Sequence, residues 1–385
     1  MDQAHEYCPL QKHGVIIGGS GLIGGAITNY FKTKTELDFE LLSPNSKRLN
    51  LRDKEDIRGF FSKFRPSFII NAAISPIDSD PLLAYETNYL GTINLAKVAL
   101  AYRIPYIHIS SASILPMGVN LREEDMLQLK PGLANYRKSK LMAERSLAFL
   151  HRTRALDYTA IRLAVVYGKH DHKIQGFHRL LFSLANEAMP FLLTRKGVFH
   201  SYSNAKKIPP FIDFILQHRE QFAGETYNFV DPEPVELCRL ILTIKSYLQL
   251  SRPKEIYIPY AITRSMKKSM KWLARILSRI GVDVRIPAEM MFMKNFYQTQ
   301  TLSPEKLLRS GYRDPEPEVT VYSEIPALLE YYLSRWEHLN LIGTYNKDFF
   351  SPKKEVNEFL SSPEQLMDTV HGLDFTPNLD LSDLL

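Results

Sequence analysis

Two kinds of apolar pattern alternate from residue 14 onward. Short, largely apolar runs, the β-branched Gly14-Val15-Ile16-Ile17, then Phe39-Glu40-Leu41-Leu42, Ser67-Phe68-Ile69-Ile70, Tyr106-Ile107-His108-Ile109 and Thr159-Ala160-Ile161-Arg162, read as strands. Between them the pattern predicts helices over Ile23 to Phe31, Lys54 to Phe64, Asn88 to Tyr102, and through the segment carrying Tyr136 and Lys140. Strands alternating with helices imply an α/β chain with a doubly wound parallel sheet. After Tyr167-Gly168 the alternation weakens, which predicts a smaller α/β lobe added at the C-terminal side. Residues Asn346 to Leu385 mix Pro, Ser and acids with isolated apolar positions, as expected of a partly ordered tail or docking segment.

Composition adds limits rather than a function. The 385 residues, 45% hydrophobic and 23% charged, are those of an ordinary globular chain. Only Cys8 and Cys238 occur, far apart, so neither a disulfide framework nor a metal site is expected, and a reducing, cytoplasmic setting fits. The N-terminus lacks the apolar core of a signal peptide, and no run of about 18 apolar residues suggests a membrane span. A net charge of +6 is compatible with anionic ligands; nothing points to nucleic acid.

Chemistry enters with Gly18-Gly19-Ser20-Gly21-Leu22-Ile23-Gly24, which follows the first strand and opens a helix. Residues without a Cβ let the backbone turn tightly, approach a pyrophosphate and present helix N-terminal amides to it. The turn therefore predicts a dinucleotide site in a Rossmann sheet, with Gly18, Gly21, Leu22, Ile23 and Gly24 against the cofactor. A carboxylate about 20 residues further on would favour the free ribose hydroxyls of NAD. Ser43-Pro44-Asn45-Ser46-Lys47-Arg48 stands there instead, so Ser43, Lys47 and Arg48 are expected at the ribose and NADP(H) is weakly favoured within an NAD(P) site. Tyr136 and Lys140 are one helical turn apart and share a helix face. A free phenol ionises at roughly pH 10, and neighbouring positive charge would lower that value toward neutrality.

These residues resemble the extended short-chain dehydrogenase/reductases, also called the NAD-dependent epimerase/dehydratase family, from about residue 13 to about 335. GGSGLIGG is similar to the family's glycine signature, and RLNLRDKEDIRGFF followed by RPSFIINAAI to its adenine-side segment. That alignment puts Asn50 and Leu51 at the adenine and Ala72 and Ala73 beside the cofactor. Asn88 matches the family's structural asparagine and joins the cofactor-binding set. HISSAS places Ser111 at the catalytic serine, with Ser110 and Ser113 as near alternatives, and YRKSK supplies Tyr136 and Lys140. The resemblance implies Tyr136 as general acid or base, Ser111 hydrogen-bonding the same substrate oxygen, and Lys140 on the nicotinamide ribose, with both Tyr136 and Lys140 in the cofactor-binding set. It also implies domains at 1–165 (NAD(P)-binding Rossmann), 166–335 (substrate lobe) and 336–385 (appendage), and a homodimer.

The chain departs from the family in the lobe. Ile114-Leu115-Pro116-Met117-Gly118 replaces the usual continuation after the serine, and Val165 stands where sugar-nucleotide enzymes carry asparagine. In GVFHSYSNAKKIPPFIDFIL, His200 takes the place of an arginine, and Lys206-Lys207 that of paired aspartates, with surface solvation the expectation for both lysines. Met266 to Gly281 reads as a basic amphipathic helix, packed on the core or lying on a membrane surface. The preferred expectation is an oxidoreductase or epimerase acting on a sugar nucleotide as its small-molecule substrate. The alternatives are a 3β-hydroxysteroid-dehydrogenase-like enzyme on a lipid, and a cofactor-binding regulatory protein without turnover.

Overall fold

The computed structural model describes residues 12–34, 39–186, 194, 196–250, 296–342, 361–364 and 367. The basic helix expected over 266–281 lies outside them, as does most of 346–385. The chain divides into two compact units, Met1–Tyr331 and Tyr332–Leu385. In the second, the rings of Tyr332 and Trp336 stack at 5.5 Å between centroids.

The sheet of the first unit is built from β1 (Lys12–Ile17), β2 (Phe39–Leu42), β3 (Phe68–Asn71), β4 (Tyr106–Ser111), β6 (Tyr158–Leu163) and β10 (Glu225–Phe229). Their order across the sheet is β10-β6-β4-β3-β1-β2, and every pairing is parallel. The connecting helices are α1 (Leu22–Thr33), α2 (Lys54–Phe64), α4 (Gly91–Tyr102) and α5 (Asn135–Arg154).

Both faces of the sheet are covered, which is why its strands read as continuous apolar runs. Ile16, Ile70, Ile107 and Ile161 point to one face, where they meet Ile27 of α1 and Phe211 and Ile215 of α7 (Ile208–Gln217). Val15, Ile69, Tyr106 and Ala160 point to the other, against Ile57 of α2, Leu95 of α4 and Leu147 of α5. The alternation along each strand is the period of two expected of a pleated chain.

Two features depart from the linear reading. Residues 208–229, beyond the expected boundary at 165, supply α7 and the edge strand β10 to this same sheet, so the lobe is interleaved with the nucleotide-binding layer. The helix expected from Asn88 begins earlier, at α3 (Pro81–Ala84), where the Asp80 carboxylate accepts the Leu83 N–H at 2.9 Å and Pro81 opens the first turn. It then widens into a π-helical turn, Tyr85–Leu90, before continuing as α4. Such turns insert one extra residue per turn, which no periodicity of 3.6 announces.

The lobe adds β5 (Gly118–Leu121), β8 (Phe199–His200), β11 (Val235–Glu236) and β12 (Gln300–Leu302) as a sheet in the order β11-β8-β12-β5. A separate parallel pair joins β7 (Val165–Tyr167) to β9 (Tyr202–Asn204). Among the described residues no helix is long and apolar enough to cross a membrane.

Candidate functional site

The carboxyl ends of β1, β3 and β4 define one edge of the sheet, where ligands bind in open α/β folds. Gly18 there adopts φ +85°, and a Cβ on it would meet the Ala73 N and the Ala72 carbonyl at 2.7–2.8 Å. A Cβ on Gly24 would overlap the Gly18 carbonyl oxygen. Both glycines are required by close approach, of the turn to Ala72-Ala73 and of α1 to the turn. Gly21 caps α1 without a side-chain hydrogen bond, so the first-turn amides of Leu22 and Ile23 open toward the edge. This cradle, with its donors and its lack of side chains, fits a pyrophosphate.

Of the other expected cofactor residues, Ser43 to Leu51 follow β2 and Ala72 and Ala73 follow β3. Ser43 leaves β2 with its hydroxyl against Gly19. Asn45 Oδ1 accepts the N–H groups of Lys47 and Arg48 at 3.0 and 3.1 Å, fixing the turn that presents both cations to solvent. Asn50 Oδ1 accepts the Arg52 N–H at 3.0 Å, and Leu51 is buried. Ala72 N–H donates to Ile17 O at 2.9 Å, and Ala73 N–H to Asn71 Oδ1 at 3.1 Å. Asn88 behaves differently. It is 1% exposed, its Oδ1 accepts the Ser75 N–H at 2.9 Å, and its Nδ2 donates to Ser75 and Ser139 hydroxyls at 2.9 and 3.1 Å. Its amide is filled by protein, so it braces α5 from behind and offers no free donor to a ligand.

Ser111, Tyr136 and Lys140 come together. Ser111 Oγ accepts the Ser113 N–H at 3.2 Å, and its hydroxyl is near enough to the Tyr136 phenol to favour the phenolate. Ser110 faces the opposite way, toward Glu144, so of the serines there Ser111 is the one at the tyrosine. Lys140 Nζ donates to Ile109 O at 2.8 Å. Burial pushes the Tyr136 phenol up from its ordinary value, and the Ser111 hydrogen bond pulls it part of the way back. The lowering expected from Lys140 is not among its causes. Lys140 is itself pushed down to about 8 by burial, against an upward pull from Glu144.

Beneath the pair lies a charged stripe that the sequence reading missed. Glu144 is one turn past Lys140 and accepts from Arg162 through Nε at 3.0 Å and Nη2 at 2.7 Å, and from the Ser110 hydroxyl. Arg162 and Glu144 are 1% and 4% exposed. A signal was available: an arginine closing an apolar strand, and a glutamate continuing the Tyr136, Lys140 spacing. His108, stacked beside Tyr106, is also fully buried; burial and the nearby Lys140 hold its imidazole well below the usual range, hence neutral.

The lobe shows where surface reasoning fails. Lys207 is 3% exposed rather than solvated, paired with Asp314 at 2.7 Å and donating to Val319 O at 2.7 Å. Its neighbour Lys206 is exposed and reaches Glu324 at 3.2 Å. His200 is buried, with Nε2 at 3.0 Å from the Gln298 carbonyl. Tyr167 donates to Asp231 at 2.7 Å, and burial raises that carboxyl to about 6. Gln300 Nε2 lies within 2.9–3.3 Å of the carbonyls of Ala112, Leu115 and Pro116, tying β12 to the turn that follows Ser111. Val165 lies half-buried in β7, paired with Tyr202.

Comparison with known proteins adds a family match and a likeness of fold. Residues 15–203 match the model of the NAD dependent epimerase/dehydratase family. Methionine adenosyltransferase 2 subunit beta of Xenopus laevis is 27% identical over 179 residues, 44% of this chain and 52% of that protein. Sterol-4-alpha-carboxylate 3-dehydrogenase of Schizosaccharomyces pombe is 26% identical over 181 residues, 42% and 52% of the two chains. The chain thus matches about half the length of these curated relatives. The Thermus thermophilus UDP-glucose 4-epimerase complex with NAD superposes with a TM-score of 0.60 at 19% identity, covering 83% of this chain and 99% of that one. The Campylobacter jejuni GDP-mannoheptose C4 reductase with NADP bound gives 0.63 at 12% identity, covering 84% and 99%. At such identities the likeness is one of fold.

Proposed function

Because residues 15–203 match the model of the NAD dependent epimerase/dehydratase family, we propose that the chain binds NAD(P) at the edge of β1, β3 and β4 and transfers hydride at a hydroxyl or keto carbon of a small molecule. The observation that carries this reading is the buried Tyr136 phenol beside Ser111, with the buried Lys140 one turn on, in the same fold as the glycine cradle.

The bound dinucleotide supplies the hydride donor or acceptor. Gly18, Gly21, Leu22, Ile23 and Gly24 hold its pyrophosphate, Ser43, Lys47 and Arg48 face the adenosine ribose, and Asn50, Leu51, Ala72 and Ala73 line the adenine side. With no carboxylate at the end of β2 and two solvated cations in its place, the reading favours NADP(H). Tyr136 exchanges the proton of the reacting oxygen and Ser111 donates to the same oxygen. Lys140 binds the nicotinamide ribose and keeps a positive charge beside the phenol; Glu144 and Arg162 hold it in place from below.

The substrate that best fits the fold neighbours is a sugar nucleotide, since the two solved structures named above act on UDP-glucose and GDP-mannoheptose. One observation favours a lipid as second reading: His200 is committed to the Gln298 carbonyl, and a relative is named for a sterol carboxylate. The deciding experiment measures NADPH and NADH binding by nicotinamide fluorescence, then turnover with keto-sugar nucleotides and keto-sterols, in wild type and Tyr136→Phe. The reading requires cofactor binding by both proteins and turnover by wild type alone. Absence of cofactor binding would sink it.

A further inference from the structure

Three cations of the lobe are engaged by the protein itself: His200 by Gln298, Lys206 by Glu324, Lys207 by Asp314 and Val319. Arg137 is different. It follows Tyr136 directly on α5, is half-buried, and makes no hydrogen bond or ion pair among the described residues. Burial alone lowers its guanidinium from the ordinary value, with no carboxylate to offset it.

Its place in the fold gives the open charge a direction. α5 begins at the same sheet edge as the glycine turn, and Arg137 stands one turn before Leu141 on its surface. Leu141 is fully buried against Ala112, Ile114 and Leu115, the turn that follows Ser111. Arg137 shares that helix face at its N-terminal end, and side chains on a helix lean toward its start. In the same turn Ser113 Oγ is shielded from solvent without a hydrogen-bond partner. A partly desolvated charge with no partner is destabilising and is found where a ligand completes it.

We infer that Arg137 holds an anionic group of the substrate, a carboxylate or a phosphate, on the Ser111 side of Tyr136. The inference rests on the proposed function in one respect, that Tyr136 marks the reacting carbon. It makes Arg137, rather than His200, the substrate's cationic anchor. The bidentate guanidinium suits either planar carboxylate or phosphate oxygens.

The test uses the full chain saturated with whichever of NADPH or NADH binds. Melting temperature is followed against inorganic phosphate and, separately, acetate, at constant ionic strength set with chloride. Wild type should be stabilised by one or both anions, and which of them acts identifies the group. Arg137→Gln should weaken that response at least tenfold while retaining cofactor, and Arg137→Lys should keep part of it. Without added anion, Arg137→Leu should melt at or above wild type, because it removes an uncompensated charge. An equal anion response in Arg137→Gln, no response in wild type, or a large loss of stability in Arg137→Leu would each overturn the assignment. A protein that binds neither dinucleotide would refute the proposed function, and the same titrations without cofactor would still decide Arg137.

Discussion

Two ion pairs, Glu144 with Arg162 and Lys207 with Asp314, are used in opposite ways, the first fully buried and the second with only its lysine buried. At the reacting end, Glu144 of α5 and Arg162 neutralise each other, leaving Lys140 to the Ile109 carbonyl and Tyr136 beside Ser111 among the described residues. At the lobe end, Lys207 is itself a member of the pair, held by Asp314 and the Val319 carbonyl, and nothing of its charge remains for a ligand. A donor already satisfied by buried protein cannot bind a ligand without losing what it had. Charge kept open therefore marks the place of chemistry, and charge closed on itself marks structure.

Removing the group that the reacting end leaves open should have the largest effect. Tyr136→Phe should lower turnover by roughly 10²- to 10⁴-fold, with dinucleotide affinity unchanged by fluorescence titration. Turnover near wild type would erase the distinction between the two ends.

Next comes the support beneath it. Glu144→Ala leaves Arg162 buried and unpaired beside Lys140, and should destabilise the fold by about 3–5 kcal/mol in urea denaturation. A loss under about 1 kcal/mol would mean that water reaches the stripe and that the pair is not a closed unit.

The lobe end makes a signed prediction in pH. Burial raises Asp231 to about 6 against opposing pulls from Tyr167 and Lys207, so the native state holds this proton more tightly than the unfolded chain does. Its contribution to stability is complete below pH of about 4 and is lost as pH rises through about 6, amounting to roughly 2–3 kcal/mol at most. Asp231→Asn should flatten the stability profile across that window, and an unchanged slope would remove Asp231 from the account.

The smallest effect is expected at the solvated loop. Replacing Lys47 and Arg48 together by serine should reduce the preference for NADPH over NADH roughly three- to tenfold, the scale of exposed charge contacts. If neither cofactor's affinity moves, the two cations are simply solvated.

Much of the reacting end was legible because local patterns specify it. The strand, glycine turn and helix lie within a few residues of one another, and Tyr136 and Lys140 share a face by helical spacing alone. Asn88 was legible in place but not in detail: the π-helical turn that aims its amide at Ser75 and Ser139 leaves no periodic trace. The lobe was read less well for a different reason. Lys207 looks solvated in sequence because lysine usually is, and its partner Asp314 arrives from over a hundred residues away.

The sequence by itself determined the alternation of strands and helices, the glycine cradle, and the Tyr136 and Lys140 spacing, since each depends on sterics and periodicity within one turn or strand. Tertiary structure alone decided that Ser111 rather than Ser110 faces the phenol, that Glu144 and Arg162 close into a buried pair, and that β10 returns to the sheet's edge. It also left Arg137 open while it satisfied Lys207. Those outcomes depend on which distant groups share a desolvated volume, where an unpaired charge is destabilising and a paired one is not, and only the folded chain brings such groups together.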